Sequence, residues 1–527
     1  MQWMMRRIPH IISRLANYCG EFNALVSKER GCDRRFLILN EKEDAARSSR
    51  NVVDRNFALS RTFARDFGTS ARKTPPEPRR VPFLGTMLSL MMAGGPQKLH
   101  EYVDKRHQEL GPVFREQIGP LWIVFVNSPD EFRRIFLRLE GPTPQHFLPE
   151  AWRLYNEIRE QRRGLLFMDG DEWLHFRRIL NKMMLLPDST EPMCVPCQEA
   201  AENLTRKWKT YSLTGATIPN LEHQLYLWSI EVMLATLVGS RWRDWKPQIG
   251  PETEYLALML HRIFVFSATL SMMPAKLAMR LRLPAWTKFV HTADMIMAKV
   301  RSLVPDMISL SSDGLLWMMM NEGIHNDDVV RIIVDFIIAA GDTTAVTMQW
   351  VLLLLSSRPK LQDQLFSDIK DLPPKEILRH PLLKGVWREA LRLHPTAPFL
   401  SRYLLEDTTI GGYFVSKKDL IILSIYSSGR NGEDFPEPNE FLPERWVRTK
   451  DNFYQGVKNS YATLPFAMGV RSCIGRKLAE TQMSLTLAQL IKNFKIECEN
   501  RDGIKMILHL ISIPSKPIQL KLTKRKV

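Results

Sequence analysis

The chain has 527 residues, of which 45% are hydrophobic and 25% charged, and it carries six cysteines. It is too apolar for a disordered chain, too poor in glycine for a fibre and too poor in cysteine for a disulfide scaffold. Its 73 Lys and Arg against 57 Asp and Glu leave a net charge of +16, which suits an anionic membrane surface or an acidic protein partner. No zinc-finger spacing and no aromatic-interleaved RNA motif is present, so nucleic acid ranks last among such partners.

Residues 1–73 hold 15 basic and 8 acidic side chains, and the first acid is Glu21. No apolar run there approaches the ~20 residues that cross a bilayer, and none forms the core of a secretory signal. The arginine-rich leader reads as a mitochondrial transit segment; the alternative is a disordered basic tail, which Glu41, Glu43 and Asp44 favour. Pro75, Pro76, Pro78 and Pro82 make 74–85 an expected extended hinge, with the folded domain over 86–527. A helix is predicted over 96–109, then strands at 113–117 and 121–126 around Gly119-Pro120. Helical patterns dominate to about 400, short strands fill 400–465, and a long helix starts near 474. The alternating stretch 503–522 predicts a terminal β-hairpin. The fold class is mainly α with a minor β portion, as one large domain. The scattered cysteines suit a reducing compartment, and Cys194-Val-Pro-Cys197 is a lone CxxC read mainly as structural.

The segment 327–355 is apolar nearly all round, with Asp327 and Asp328 where a helix dipole favours acids. Such a helix is buried in a large core or spans a membrane. Arg331, Asp335 and Asp342 interrupt it, which favours burial. Gly341-Asp342-Thr343-Thr344 is then a polar island, where Gly and Thr weaken the helix and an acid is costly without a partner. A local violation of this type marks a working site; the plainer reading is an Asp–Thr pair that satisfies itself.

Further on, Phe466-Ala-Met-Gly469-Val-Arg471-Ser-Cys473-Ile-Gly475 places a cysteine at the mouth of the last helix. A thiolate that ligates iron uses nearby backbone N–H groups, and Gly469 and Gly475 are expected to let the chain turn close to the sulfur. Arg471 supplies a cation for an anionic cofactor edge, and Phe466 shields the sulfur. The positive end of the following helix is expected to lower the thiol pKa. A buried structural cysteine would require neither the arginine nor both glycines.

This loop fits FxxGxRxCxG at every fixed position, and from about Pro82 onward the chain resembles the cytochromes P450, monooxygenases that hold haem b through a thiolate. Glu389-Ala-Leu-Arg392 matches the family's ExxR. Phe441-Leu-Pro-Glu-Arg445-Trp supplies a second guanidinium, so that one carboxylate between two arginines forms a buried network. Trp173-Leu-His-Phe-Arg177 matches WxxxR and, with Arg402, is implied to face the haem propionates. The stretch 339–344 resembles the oxygen-activation motif, with Ala340 where glycine is usual. Ala467 replaces a frequent glycine of the cysteine loop, at no obvious chemical cost.

The resemblance implies a single large haem-binding domain in which Cys473 ligates iron, Thr343 holds a hydrogen bond near dioxygen and Asp342 relays protons. A haem-thiolate isomerase usually departs from the Asp–Thr pair and a non-catalytic haem-binding protein does not need it, so 342–343 favours monooxygenation. The run from Leu382 to Glu389 resembles the mitochondrial subfamily, whose basic pair, here Lys384 and Arg388, docks a small acidic [2Fe-2S] ferredoxin supplied by NADPH and ferredoxin reductase. Arg476 and Lys477 add charge beside it. That resemblance places the enzyme on the matrix side of the inner membrane, peripherally associated. Ala93-Gly94-Gly95, Gly111-Pro112 with Phe114-Arg115-Glu116, and 338–345 resemble the insect ecdysteroid 2-hydroxylases. They imply a steroid substrate, with hydroxylation of 2-deoxyecdysone at C2; another mitochondrial sterol or xenobiotic hydroxylase is the alternative. Phe336, Ile337 and Ala340, with Pro398 and Phe399, are expected to line the pocket.

Overall fold

The structure, a computed structural model, describes residues 73–525 apart from Phe83, Pro120, Pro187, Asp188 and Met272. Residues 1–72 of the expected leader therefore lie outside the described residues. The longer helices in chain order are α1 Leu99–Leu110, α2 Glu150–Ile158, α3 Gly170–Met184, α4 Thr190–Thr214, α5 Leu221–Val238, α6 Trp242–Leu270, α7 Pro284–Leu310, α8 Asn326–Ser356, α9 Pro359–Ile369, α10 Pro381–Leu393 and α11 Arg476–Asn493.

Helix α8 organises the rest. Asp327 and Asp328 lie in its first turn, and the His325 ring accepts the Asp327 N–H at 3.5 Å as a cap. An all-round apolar helix must be covered all round, and α5, α6, α7, α10 and α11 all touch it. Burial is thus the outcome, and no helix among the described residues is long and apolar enough to cross a membrane.

The β portion flanks this bundle. Strands β1 Val113–Ile118 and β2 Leu121–Val126 form where the two β-rich runs were expected, and they pair antiparallel. Strand β3 Phe399–Arg402 follows α10, then come β4 Thr408–Ile410, β5 Tyr413–Val415 and β6 Leu420–Ser424. The main sheet has the order β1-β2-β6-β3, with β2 and β6 parallel. Arg402 is thereby carried on a strand paired to β6.

One expectation gains detail and one needs correction. The proline-rich segment has no helix or strand over 73–80 and is docked on the domain: the Arg115 N–H donates to Pro76 O at 2.9 Å and the Phe414 N–H to Lys73 O at 2.8 Å. Proline removes donors but leaves carbonyls, and these pair with the sheet edge. The terminal hairpin is shorter than expected, joining only β8 Met506–Leu508 and β9 Ser512–Pro514. Strand β10 Leu520–Lys524 instead pairs with β7 Phe494–Cys498, directly after α11. Leu520 and Leu522 bury one face of β10, and Phe494 and Ile496 are the buried partners that match it.

Candidate functional site

The cysteine loop runs into α11, with Gly475 as its N-cap. The Cys473 N–H donates to Phe466 O at 2.8 Å, folding the loop back on itself. Gly469 has φ +78°, and a Cβ there would lie 2.2 Å from Glu140 Oε1 and 2.7 Å from the Phe136 carbonyl oxygen. Conformation and space both demand glycine. Gly475 differs: its φ of −83° is ordinary, and nothing lies within 4 Å of an added Cβ. The expectation that both glycines turn the chain holds for Gly469 alone.

Ala467 is a second correction. Its φ is +55°, in the left-handed region that costs an L side chain about 1–2 kcal/mol. Alanine in this position is strained. Ala467→Gly relieves that strain against an extra unfolded-chain entropy of about 0.5–1 kcal/mol. The denaturant midpoint should therefore rise, by a net gain of up to about 1 kcal/mol; a midpoint that falls would show that the loop is not held in this conformation.

The Cys473 side chain has exposed surface although it lies deep among protein atoms. An exposed group at such depth faces an internal recess, and for its charge the depth is what matters. Burial raises the thiol pKa, while the Gly475 N–H, Arg177 and Arg476 pull it down. The predicted helix-terminus effect is thus present but outweighed, and a bound metal ion is what would hold this sulfur deprotonated.

Three guanidiniums surround the loop. Arg471 Nη1 donates to Pro144 O at 2.9 Å, and Nη2 to Leu166 O at 3.1 Å and Met168 O at 2.7 Å. It lies 4.8 Å over the Trp173 ring and 3.5 Å from Asp169. Trp173 and Arg177 are buried on α3, and Arg177 Nη2 donates to Ser472 O at 2.5 Å, so the WxxxR helix touches the cysteine loop. Arg402 Nε donates to Glu140 Oε2 at 2.7 Å. Half-buried His146 feels Arg471, Arg402 and Arg163, and desolvation plus these charges depress its pKa to about 3. Burial lowers Arg177 and Arg471 to about 10, which leaves both charged at neutral pH.

Arg177 Nε and Arg402 Nη2 are buried without a partner. Orphaned cationic donors are costly inside a protein, and an anionic group would satisfy them. A recessed thiol with two spare guanidinium donors nearby fits haem, with its iron and paired carboxylates. Glu140, His146 and the accepting carbonyls were missed by sequence reasoning, because 140–168 carries no motif apart from the demand Gly469 places on its neighbour.

On α8, Ala339 is exposed and Ala340 and Thr343 are half-buried, within an otherwise buried run from 331 to 353. At 100° per residue these share one face with Phe336. Ile337, 1% exposed, lies off that face among neighbouring helices. Thr343 Oγ donates to Ala339 O at 2.8 Å, one turn back, so Thr343 and Asp342 do not bond one another. Burial, reinforced by Glu222, holds the Asp342 carboxyl well above the carboxylate range. Of the turn before β3, Ala397 is exposed whereas Pro398 is buried, and the Phe399 ring meets Phe125 edge-on at 6.4 Å. Phe336 and Ala340 thus share the half-open face of α8, whereas Ile337 and Pro398 are buried.

The ExxR network is complete. Glu389 accepts from Arg392 at 2.7 and 2.9 Å, Arg445 at 2.9 Å, the Trp446 indole at 2.8 Å and the Leu442 N–H at 3.1 Å. Arg392 also donates to the carbonyls of Gly429, Pro438 and Glu440. The role of Trp446, adjacent to the expected arginine, was not anticipated.

Lys384 and Arg388 are half-buried on α10. Arg388 donates to the Tyr454 hydroxyl at 3.3 Å, and Arg448 reaches the same oxygen at 3.4 Å. The Lys384 pKa is lowered by burial, with Glu480 opposing and Arg388 and Arg379 reinforcing. Arg476 is exposed, and Lys477 Nζ donates to Leu186 O at 2.5 Å. The CxxC pair lies apart on α4: Cys197 is buried and Cys194 half-buried, both free, and burial raises both thiols.

A mainly helical domain with a recessed cysteine at a helix mouth, ringed by arginines, defines a haem-thiolate protein. The profile of the cytochrome P450 family matches residues 75–522; the chain belongs to that family. It is 36% identical to "Cytochrome P450 315a1, mitochondrial" of Drosophila melanogaster, over 86% of this chain and 90% of the relative. It is 27% identical to the mitochondrial sterol 26-hydroxylase of Rattus norvegicus, over 86% of this chain and 88% of the relative. The mitochondrial cholesterol side-chain cleavage enzyme of Oncorhynchus mykiss is 26% identical, over 84% of this chain and 88% of the relative.

Proposed function

We propose that this chain is a mitochondrial steroid hydroxylase that converts 2-deoxyecdysone to ecdysone at C2, on the matrix side of the inner membrane. The observation that carries the haem-dependent reading is the recessed Cys473 with the spare donors of Arg177 and Arg402 close by. The steroid class is supported by relatives named for sterols, and the C2 position by the stretches that resemble insect ecdysteroid 2-hydroxylases. Product analysis with 2-deoxyecdysone, NADPH, ferredoxin reductase and ferredoxin tests it. Hydroxylation elsewhere on the ring system, or of another sterol only, leaves the alternative hydroxylase reading standing.

Haem, when bound, supplies the activation of dioxygen and transfer of an oxygen atom to the substrate. Cys473 Sγ would ligate the iron, with Phe466 shielding the sulfur, and Trp173, Arg177, Arg402 and Arg471 would hold the carboxylates. Phe336 and Ala340 offer apolar surface to the steroid. Thr343 Oγ already donates to Ala339 O, so its lone pairs are left to accept on the open face. Asp342 lies one residue away, and burial favours the protonated form of its carboxyl. Thr343→Ala should leave haem content intact while NADPH consumption outruns product formation. Unchanged coupling between the two would remove Thr343 from this role.

The donor is proposed to be a small acidic [2Fe-2S] ferredoxin bound over Lys384, Arg388, Arg476 and Lys477. The first two are four residues apart on α10, so their charges share a face, and attraction to an acidic partner is screened over ~8 Å at physiological salt. Lys384→Glu with Arg388→Glu should raise the half-saturating ferredoxin concentration about tenfold or more and flatten its salt dependence. Normal ferredoxin dependence in the double variant would exclude this face. Membrane association is proposed through Val81, Leu88, Met91, Met92 and Leu121, all exposed, with Arg79 and Arg80 beside them for anionic headgroups.

A further inference from the structure

We propose, resting on the haem-binding reading above, that Asp335 is a positioning residue: its carboxyl on α8 fixes the loop 161–168, whose carbonyls in turn hold Arg471 beside Cys473. Asp335 is 6% exposed and stands apart from Asp342 and Thr343, to which the proton chemistry is assigned above. Its Oδ2 accepts the Leu166 N–H at 2.6 Å. A Cβ on Gly164 would come within 2.4–2.6 Å of the Asp335 carboxyl atoms, so only glycine allows the loop this close. One turn earlier, Arg331 Nη1 donates to the Arg163 carbonyl at 2.6 Å, and the same helix therefore holds the loop at two points.

The other side of Leu166 belongs to the cysteine loop. Its carbonyl accepts from Arg471 Nη2 at 3.1 Å, and the Met168 carbonyl accepts from that nitrogen at 2.7 Å. One peptide segment is thus gripped through its N–H by the central helix and through its carbonyls by Arg471. Packing of the Leu166 side chain does not replace this grip, because that side chain is exposed. Within the loop, the Phe167 and Met168 N–H groups both return to Gly164 O, at 3.0 and 2.8 Å. A turn tied this closely passes a shift at 164–166 on to the Met168 carbonyl. Arg471 lies two residues from Cys473 and over Trp173, so its placement bears on the haem carboxylate edge. A hydrogen bond to so deeply buried a carboxyl is costly to lose, enough to decide which way a short loop sits.

The test uses the full chain, haem-loaded and unloaded, with Asp335→Ala, Asp335→Asn, Gly164→Ala and Arg471→Lys. Two quantities are read: hydrogen exchange of the 161–168 amides, and the rate of haem loss to excess apomyoglobin. Asp335→Ala should speed exchange at Leu166 about tenfold and haem loss several-fold, a change of the size one such bond controls. Asp335→Asn keeps a carbonyl acceptor and should recover most of both. Combined with Arg471→Lys, the Asp335→Ala effect on haem loss should shrink, since the chain of contacts is already broken at its last link. Additive effects, or wild-type exchange and haem loss in Asp335→Ala, overturn the proposal. Gly164→Ala drives a methyl against the carboxyl from the loop side, so it decides the matter even if Asp335→Ala does not fold: wild-type behaviour there also overturns it. A wild-type chain without a thiolate-type ferrous carbonyl spectrum would sink the haem reading itself, and exchange at Leu166 in the unloaded chain would still judge the clamp.

Discussion

Cys473→Ser should abolish the red-shifted ferrous carbonyl spectrum of thiolate-ligated haem and, with it, all detectable hydroxylation. Serine preserves the size of the side chain and the Cys473 N–H bond to Phe466 O, so the loop should fold as before. What changes is the donor atom. An alcohol is far less acidic than a thiol and does not supply the electron density that favours O–O cleavage. The arginine ring is untouched, and Arg177 and Arg402 keep their spare donors; some haem should still bind, through its carboxylates. The decisive measurement is the spectrum in the haem that remains. If the thiolate band persisted in Cys473→Ser, the ligand would be another residue and the reading of this site would fail.

Glu389→Ala should cost the domain about 3–5 kcal/mol, the range for removing one partner of a buried ion pair. The reason is local and countable. Glu389 receives Arg392, Arg445, the Trp446 indole and the Leu442 N–H, and its loss strands two guanidiniums in a site with no exposure at Glu389 or Arg392. Domains of this class have about 5–15 kcal/mol in total, so a large part of the margin is removed. Urea unfolding with the Lys375–Glu191 surface pair as a control separates the two kinds of ion pair. Lys375→Ala breaks an exposed contact and should shift stability by less than about 1 kcal/mol. A Glu389→Ala midpoint as close to wild type as that of Lys375→Ala would show that the network adds no stability of its own. Glu389→Gln should fall between, since the amide keeps one acceptor but turns its N–H groups toward arginines.

Much of the architecture was legible because periodicity and composition are local. The β-rich composition of 121–126 after Gly119-Pro120 predicted β2 with its observed bounds, and the acids before an all-apolar run predicted α8. The terminal hairpin was only half right, because alternation marks which residues of 520–524 are buried without naming the strand that covers them. The same limit applies to pocket residues. Phe336 and Ala340 follow from helical phase, whereas Ile337, one residue along, turns into the bundle.

By itself the sequence determined the candidates for the chemistry: which cysteine, which acid and alcohol, and which arginines, since side-chain identity at fixed spacing is what a motif records. Only the tertiary structure decided how those groups are held. Thr343 donates along its own helix, and Arg177 meets Ser472 across 295 residues of chain. Ala467 takes a left-handed conformation where the sequence showed only a harmless substitution. Glu140, Leu166 and Met168 shape the site through a glycine contact and through backbone carbonyls. Every residue carries the same backbone groups, so nothing in a sequence marks which carbonyl an arginine will find; packing brings them together, and burial then makes each such bond necessary.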